Sequence, residues 1–99
     1  MNMQQMLIQA QKIQREMQKQ QAELEQKEFE VNKSGAVTVV VKGDKTVKSV
    51  SVDKDAFDPD NKEMVEELIA LAINEALSQI NEAEEAINSK LTGGMGGLF

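Results

Sequence analysis

The sequence begins with a long segment that has the composition of a helix, and this segment constrains the fold most strongly. Residues 2–26 contain no Gly and no Pro and are rich in Gln, Glu, Lys, Met and Ala, which all favour helix. A helix of this length spans about 37 Å, whereas a compact domain of about 100 residues has a radius of gyration of about 13 Å. The first helix is therefore predicted to extend beyond any globule that this chain forms.

The apolar residues of this predicted helix follow a seven-residue repeat that leaves the other faces almost wholly polar. They form the predicted dimer or packing seam: Met3, Met6, Ala10, Ile13, Met17 and Leu24. An apolar stripe on an overhanging helix needs cover, and most soluble assemblies are symmetric homo-oligomers. The pattern therefore predicts a two-fold homodimer.

The apolar period changes to two between residues 28 and 52, where valines alternate with polar residues. Turn residues at 34–35 and 43–44 divide this stretch into three predicted strands. Because the connections are so short, the strands are predicted to form an antiparallel meander.

A second long helix is predicted from about residue 61 to residue 91, after the breaker at 58–60. Asp60 and Glu63 fit a start that resembles a capping box. The sequence thus predicts an α+β, α-β-β-β-α protomer in an elongated homodimer. It predicts one domain over residues 1–91 and a flexible Gly-rich tail over residues 92–99.

Four residue types that carry much of protein chemistry, Cys, His, Trp and Tyr, are absent. Without thiols or imidazoles the chain has no zinc finger, no disulfide and no activated hydroxyl nucleophile. The Asp-rich stretch that starts at Asp53 resembles a calcium loop, but its fifth, sixth and twelfth positions are Phe57, Asp58 and Met64. No catalytic residue, metal, cofactor or small-molecule substrate is therefore predicted, and the chain is not expected to be an enzyme.

No signal peptide and no apolar run of membrane-spanning length are visible, so a cytoplasmic protein without a membrane partner is expected. The net charge of −6 is unevenly distributed. Residues 1–54 carry nine cations against seven acids, whereas residues 55–99 carry two cations against ten acids. The two halves are therefore predicted to present different faces to partners, although an acidic final helix also serves solubility alone.

Three cations of the first helix, Lys12, Arg15 and Lys19, are spaced three and four residues apart and so share one face. Two interpretations of this face remain open. It is either a solvated surface with local pairs to Glu16, or a surface that lies along nucleic-acid phosphates.

Blocks of the sequence, in their order and spacing, resemble the YbaB/EbfC family of bacterial nucleoid-associated proteins over nearly the whole chain. They are MLIQAQKIQ at 6–14, VKSVSVD at 47–53, ELI at 67–69, AINEAL at 72–77, and KLTGG at 90–94 with a final GLF. The sequence departs from the family at Ile8, where Lys is common, and in lacking Pro before the final Gly-Leu.

This resemblance implies a tweezer-shaped homodimer that binds double-stranded DNA without enzymatic activity. It also implies a place at the nucleoid, with a role in nucleoid organisation and gene regulation. DNA contacts in the family are attributed to the first and last helices. Carried over to this sequence, they are Lys12, Arg15, Lys19 and Lys90.

A protein-interaction adaptor or chaperone-like module remains as an alternative of a different class. The first helix is rich in Met, a side chain that adapts to irregular protein surfaces. The net charge of −6 also suits this alternative better than it suits DNA binding.

Overall fold

The computed structural model describes residues 2–92, with side chains up to Lys90. The elements are α1 (Met3–Gln26), β1 (Glu28–Lys33), β2 (Val37–Lys42), β3 (Val47–Val52), a 3-10 turn (Pro59–Asn61) and α2 (Lys62–Thr92). This order confirms the predicted α-β-β-β-α protomer. The predicted tail lies outside the described residues except for Thr92, which is the last residue of α2.

The molecule is elongated, as the length of the predicted helices required. Its extents are 69 × 22 × 14 Å, and its radius of gyration is 19.6 Å. A compact chain of this size would have a radius of gyration of about 13 Å. The excess arises because α1 and α2 contain 24 and 31 residues and both extend beyond the sheet.

Asn2 starts α1 as its N-cap, since its side chain accepts a hydrogen bond of 2.8 Å from the Gln5 backbone N–H. The helix ends at Gln26, and Lys27 turns to extended backbone. The chain therefore passes from α1 into β1 without a loop.

The three strands form an antiparallel sheet in the order β1-β2-β3, as predicted. The turn between β1 and β2 has Ser34 and Gly35 in the left-handed region, with φ of 57° and 67°. Two positive φ values match the right-handed twist of a tight hairpin. Asn32 supports this turn, because its side-chain oxygen accepts from the Gly35 N–H at 3.0 Å.

The turn between β2 and β3 packs against the end of α1, and Gly43 is the point of contact. The left-handed residue of this turn is Lys45, with φ of 70°. Gly43 instead donates its N–H to the Lys27 carbonyl at 2.8 Å. A Cβ at this position would lie 1.7 Å from the Leu24 carbonyl oxygen. Gly43 therefore serves the close approach of the turn to α1 and not the turn conformation.

Aspartates organise the exposed turns. The pKa of Asp44 lies below its usual value because the hydroxyl and the backbone N–H of Thr46 both donate to its carboxylate. Asp58 accepts from the Asp60 N–H at 2.8 Å and caps the 3-10 turn that precedes α2. The expectation that Asp60 caps the final helix is therefore wrong, since Pro59 starts the turn one residue earlier.

Among the described residues, no group of three acids could hold a metal ion.

The core lies between α2 and the first two strands. Ala72, Ala76 and Ile80 of α2 are fully buried, and they pack with Val39 and Val41 of β2. Small alanine side chains let the helix approach the sheet closely, and each fully buried Val or Ile contributes about 1.5–3 kcal/mol. β3 is covered much less, so this strand forms an exposed edge of the sheet.

Candidate nucleic-acid interface

The C-terminal part of α1 packs against the C-terminal part of α2 in antiparallel orientation. Leu24 lies near Glu84, and Gln21 lies near Asn88 further along the pair. Leu24 is 6% exposed and anchors this packing. We call α1, the adjoining Lys27 and residues 83–92 of α2 the arm.

The predicted seam is divided between two environments. Leu24 is buried against α2, whereas Ile13 and Met17 are half-buried on the same side of α1. The other three seam residues are exposed: Met3, Met6 and Ala10. They lie on the part of α1 that extends beyond α2, and Met3 is 86% exposed.

The predicted basic residues of α1 are all exposed and lie on one face of the helix. At about 100° per residue, Lys12, Arg15 and Lys19 fall within roughly 60° of one another. They extend over about 10 Å of helix axis, a length along which duplex DNA carries about six phosphates.

A groove between the two helices of the arm brings Lys19 and Lys90 together, and Lys27 lines it as well. The groove has a volume of about 410 Å³ and also contains Glu16 and Glu23. Lys12 and Arg15 lie closer to the N-terminus of α1, outside this groove but on the face that carries Lys19. Lys19 and Lys90 therefore share the groove, whereas Lys12 and Arg15 continue the basic face of α1 beyond it.

Sequence reasoning missed Lys27. It follows Lys19 by eight residues, just past the end of the helix, where the 3.6-residue period no longer predicts its direction. Its place in the groove depends on how α2 returns along α1.

Most cations outside the arm are already paired with carboxylates. The ion pairs are Lys33–Glu75 at 2.7 Å, Lys42–Asp44 at 4.0 Å, Lys45–Glu84 at 3.6 Å, Lys48–Glu28, and Lys62–Glu66 at 2.7 Å.

The other six of the eleven cations form no ion pair with a carboxylate of the described residues. They are Lys12, Arg15, Lys19, Lys27, Lys54 and Lys90, and only Lys54 lies outside the arm. Glu16, which the sequence offers as a local partner, accepts a hydrogen bond of 3.2 Å from the Gln20 amide. The unpaired positive charge of the described chain is therefore concentrated on the arm.

Comparison with known proteins decides the family. The model of the YbaB/EbfC DNA-binding family matches residues 1–95. The chain belongs to the YbaB/EbfC DNA-binding family. Nucleoid-associated proteins similar to it include one from Ruminiclostridium cellulolyticum, which is 43% identical over 98% of this chain and 85% of its own length. One from Clostridium novyi is 45% identical over 100% of this chain and 90% of its own length. One from Clostridium botulinum strain Eklund 17B is 48% identical over 99% of this chain and 88% of its own length.

One apolar residue, Ile8, adjoins the basic face of α1. Its side chain is 61% exposed and lies on the face of α1 that carries Lys12 and Arg15. This YbaB/EbfC member therefore has an apolar residue in line with its basic residues.

Within residues 2–92, neither helix is long and apolar enough to cross a membrane.

Proposed function

We propose that this chain binds double-stranded DNA as a homodimer through the arm, with low sequence specificity, and acts at the nucleoid in its organisation and in gene expression. The predicted contacts are Lys12, Arg15, Lys19 and Lys90, and we add Lys27 because it lines the groove that contains Lys19 and Lys90. The proposal includes no catalytic step, no cofactor and no small-molecule substrate.

The concentration of unpaired cations on the arm carries this proposal. A paired lysine must give up a carboxylate before it binds a phosphate, whereas the exposed arm cations release only counterions. The net charge of −6 does not prevent binding, because charges beyond about 8 Å are screened at physiological salt. Eight of the ten acids of residues 55–99 lie outside the arm, although Glu84 and Glu85 belong to it.

Low specificity follows from the side chains that are present. Arg15 is the single arginine of the sequence, and no Tyr or Trp offers a stacking surface for unpaired bases. One guanidinium per protomer provides one bidentate contact to a guanine edge, while lysines contact phosphates without reading sequence.

A competition experiment distinguishes this function from polypeptide binding. The full chain is titrated onto a random-sequence duplex in a gel-shift assay. The competitor is an unfolded polypeptide whose net charge is similar to that of the duplex. We expect the duplex to remain bound at polypeptide concentrations that exceed its own. Displacement by the polypeptide at equal concentration would favour the interaction module, for which the exposed Met3 and Met6 provide contact surfaces.

Replacing Ile8 by Lys is expected to strengthen DNA binding. The substitution extends the basic face by one turn and adds one phosphate contact to each protomer. The slope of log affinity against log salt should become more negative by about 1.8 per dimer. Ile8→Gln serves as the control, since it removes the apolar side chain without adding charge. An affinity of the Lys variant equal to that of the Gln variant would show that DNA does not reach this turn of α1.

We infer the homodimer from two apolar surfaces that the single chain leaves uncovered. The first is the edge strand β3, where Val47 and Val50 are 42% and 44% exposed although both face the α2 side of the sheet. Unpaired backbone groups along such an edge favour pairing with another strand. The second is the exposed part of the predicted seam, which contains Met3 and Met6.

Sedimentation equilibrium at micromolar concentration is expected to give about 22 kDa, twice the mass of 11.0 kDa. Val50→Glu and Met6→Glu distinguish the two surfaces, because each puts a charge on only one of them. If β3 forms the interface, Val50→Glu becomes monomeric while Met6→Glu remains a dimer. A wild-type chain that sediments only as a monomer would refute the dimer.

A further inference from the structure

An apolar groove lies beside the N-terminal end of α2, far from the arm. Its volume is about 280 Å³, and it is lined by the apolar Ala56, Phe57, Pro59 and Val65 together with the charged Asp58, Lys62 and Glu66. Phe57 is 81% exposed, the largest exposure of an aromatic side chain among the described residues. A cavity of about 150 Å³ holds a benzene molecule, so this groove has room for an aromatic ring and an aliphatic side chain.

The groove is formed before anything binds, because hydrogen bonds hold the loop that presents Phe57. The Ala56 N–H donates to the Asp53 carbonyl at 3.0 Å, and the Phe57 N–H donates to the Lys54 carbonyl at 3.3 Å. From α2, the Asn61 side-chain amide donates to the Ala56 carbonyl at 3.3 Å. An occupant therefore finds an ordered apolar surface and need not order the loop on binding.

The sequence beyond α2 supplies apolar side chains that fit this groove. Residues 93–99 read GGMGGLF, with Met95, Leu98 and Phe99 as their apolar members. Among them, Leu98 and Phe99 offer one aliphatic side chain and one aromatic ring next to each other.

The length of this segment decides which copy it can reach. α2 has 31 residues and is about 46 Å long, with the groove at its start. Phe99 lies seven residues beyond Thr92, and seven extended residues span at most about 25 Å. The segment therefore cannot reach the groove of its own chain.

We propose that Leu98 and Phe99 of one copy dock into the groove of a second copy beside Phe57. The two contacting surfaces differ, so the contact is heterologous and can continue from copy to copy. This gives the protein a means of linking dimers that uses none of the proposed DNA contacts.

Two optical probes test this proposal in the full chain, because the sequence contains no Trp and no Cys. One copy carries Phe99→Trp. The other carries Lys62→Cys, labelled with bimane, whose emission a Trp quenches on contact. Lys62 lies at the groove, is exposed, and loses only its surface ion pair with Glu66. The two copies are unfolded and refolded together, so that mixed assemblies form.

We expect bimane emission to fall as the Phe99→Trp copy is added, and to recover when the labelled copy also carries Phe57→Ser. A label at the exposed Ser78, about 24 Å away along α2, should keep its emission. Unchanged emission at position 62 would overturn the proposal. Quenching by Leu7→Trp in place of Phe99→Trp would overturn it as well, because the exposed tip of α1 would then occupy the groove. A Phe57→Ser chain that sediments as a monomer would show that the groove is instead the dimer interface.

Discussion

Replacing Arg15 and Lys19 together by Glu is expected to weaken binding to duplex DNA by about a thousandfold or more at physiological salt. Both side chains are exposed on the basic face of α1, and neither pairs with a carboxylate of the described residues. In a dimer the variant loses four phosphate contacts and adds four repulsive charges beside Glu16. Gel-shift titration of a random-sequence duplex measures the loss.

A matched control places the same charge change away from the arm. Lys54→Glu with Lys62→Glu lowers the net charge by the same amount, and both lysines are exposed. Surface substitutions of this kind change stability by no more than about 0.5 kcal/mol, so both variants should stay folded dimers. Equal losses of affinity in the two variants would mean that only the total charge matters, and that the arm is not the binding surface.

Replacing Gly43 by Ala is expected to lower the free energy of unfolding by roughly 3 kcal/mol. The new Cβ would lie 1.7 Å from the Leu24 carbonyl oxygen and 3.2 Å from the Glu25 Cα. Both atoms belong to the backbone of α1, so no side-chain rotation relieves the overlap. The end of α1 must move away from the turn, and the Gly43–Lys27 hydrogen bond is lost. Urea unfolding followed by circular dichroism measures the change.

Gly35→Ala is the matched control, since it adds the same methyl group in the other turn. Apart from Gly35 and its two chain neighbours, no residue has an atom within 4 Å of this Cβ position, but the φ of +67° is left-handed. The expected cost is therefore about 1 kcal/mol, from backbone conformation alone. If Gly43→Ala destabilised the protein no more than Gly35→Ala does, the contact between this turn and α1 would not stabilise the fold.

The element order could be predicted because each element has a local cause in the sequence. The absence of Gly and Pro from residues 2–26 determined α1, and the structure places its start within one residue of the prediction. The alternating valines and the turn at Ser34 and Gly35 likewise determined the first hairpin. Their conformations depend on residues that are close in sequence, so the periodicity of the sequence predicts them.

Features that depend on contacts between distant elements could not be read in this way. Gly43 looked like an ordinary turn residue, whereas its role is to admit the backbone of α1. Lys27 became part of the candidate interface only because α2 returns along α1 and places Lys90 in the same groove. The ion pairs that neutralise the other lysines also join distant elements, such as Lys33 of β1 with Glu75 of α2.

The seam shows the same limit. A heptad pattern predicts that a stripe is covered but does not identify the partner. The structure covers Leu24 with α2 of the same chain and leaves Met3 and Met6 exposed. The sequence alone therefore could not separate packing within the protomer from contact between protomers.

The salt dependence of DNA affinity tests the central claim most directly, because it counts the phosphates that the protein neutralises. If Lys12, Arg15 and Lys19 of both protomers contact phosphates, log affinity for a random-sequence duplex should fall against log salt with a slope of about −5, and contacts from Lys27 and Lys90 as well should make the slope about −9. The measurement uses the wild-type chain, with the Arg15→Glu, Lys19→Glu variant as its reference. A slope near zero would contradict the account, and so would a thousandfold preference for one sequence.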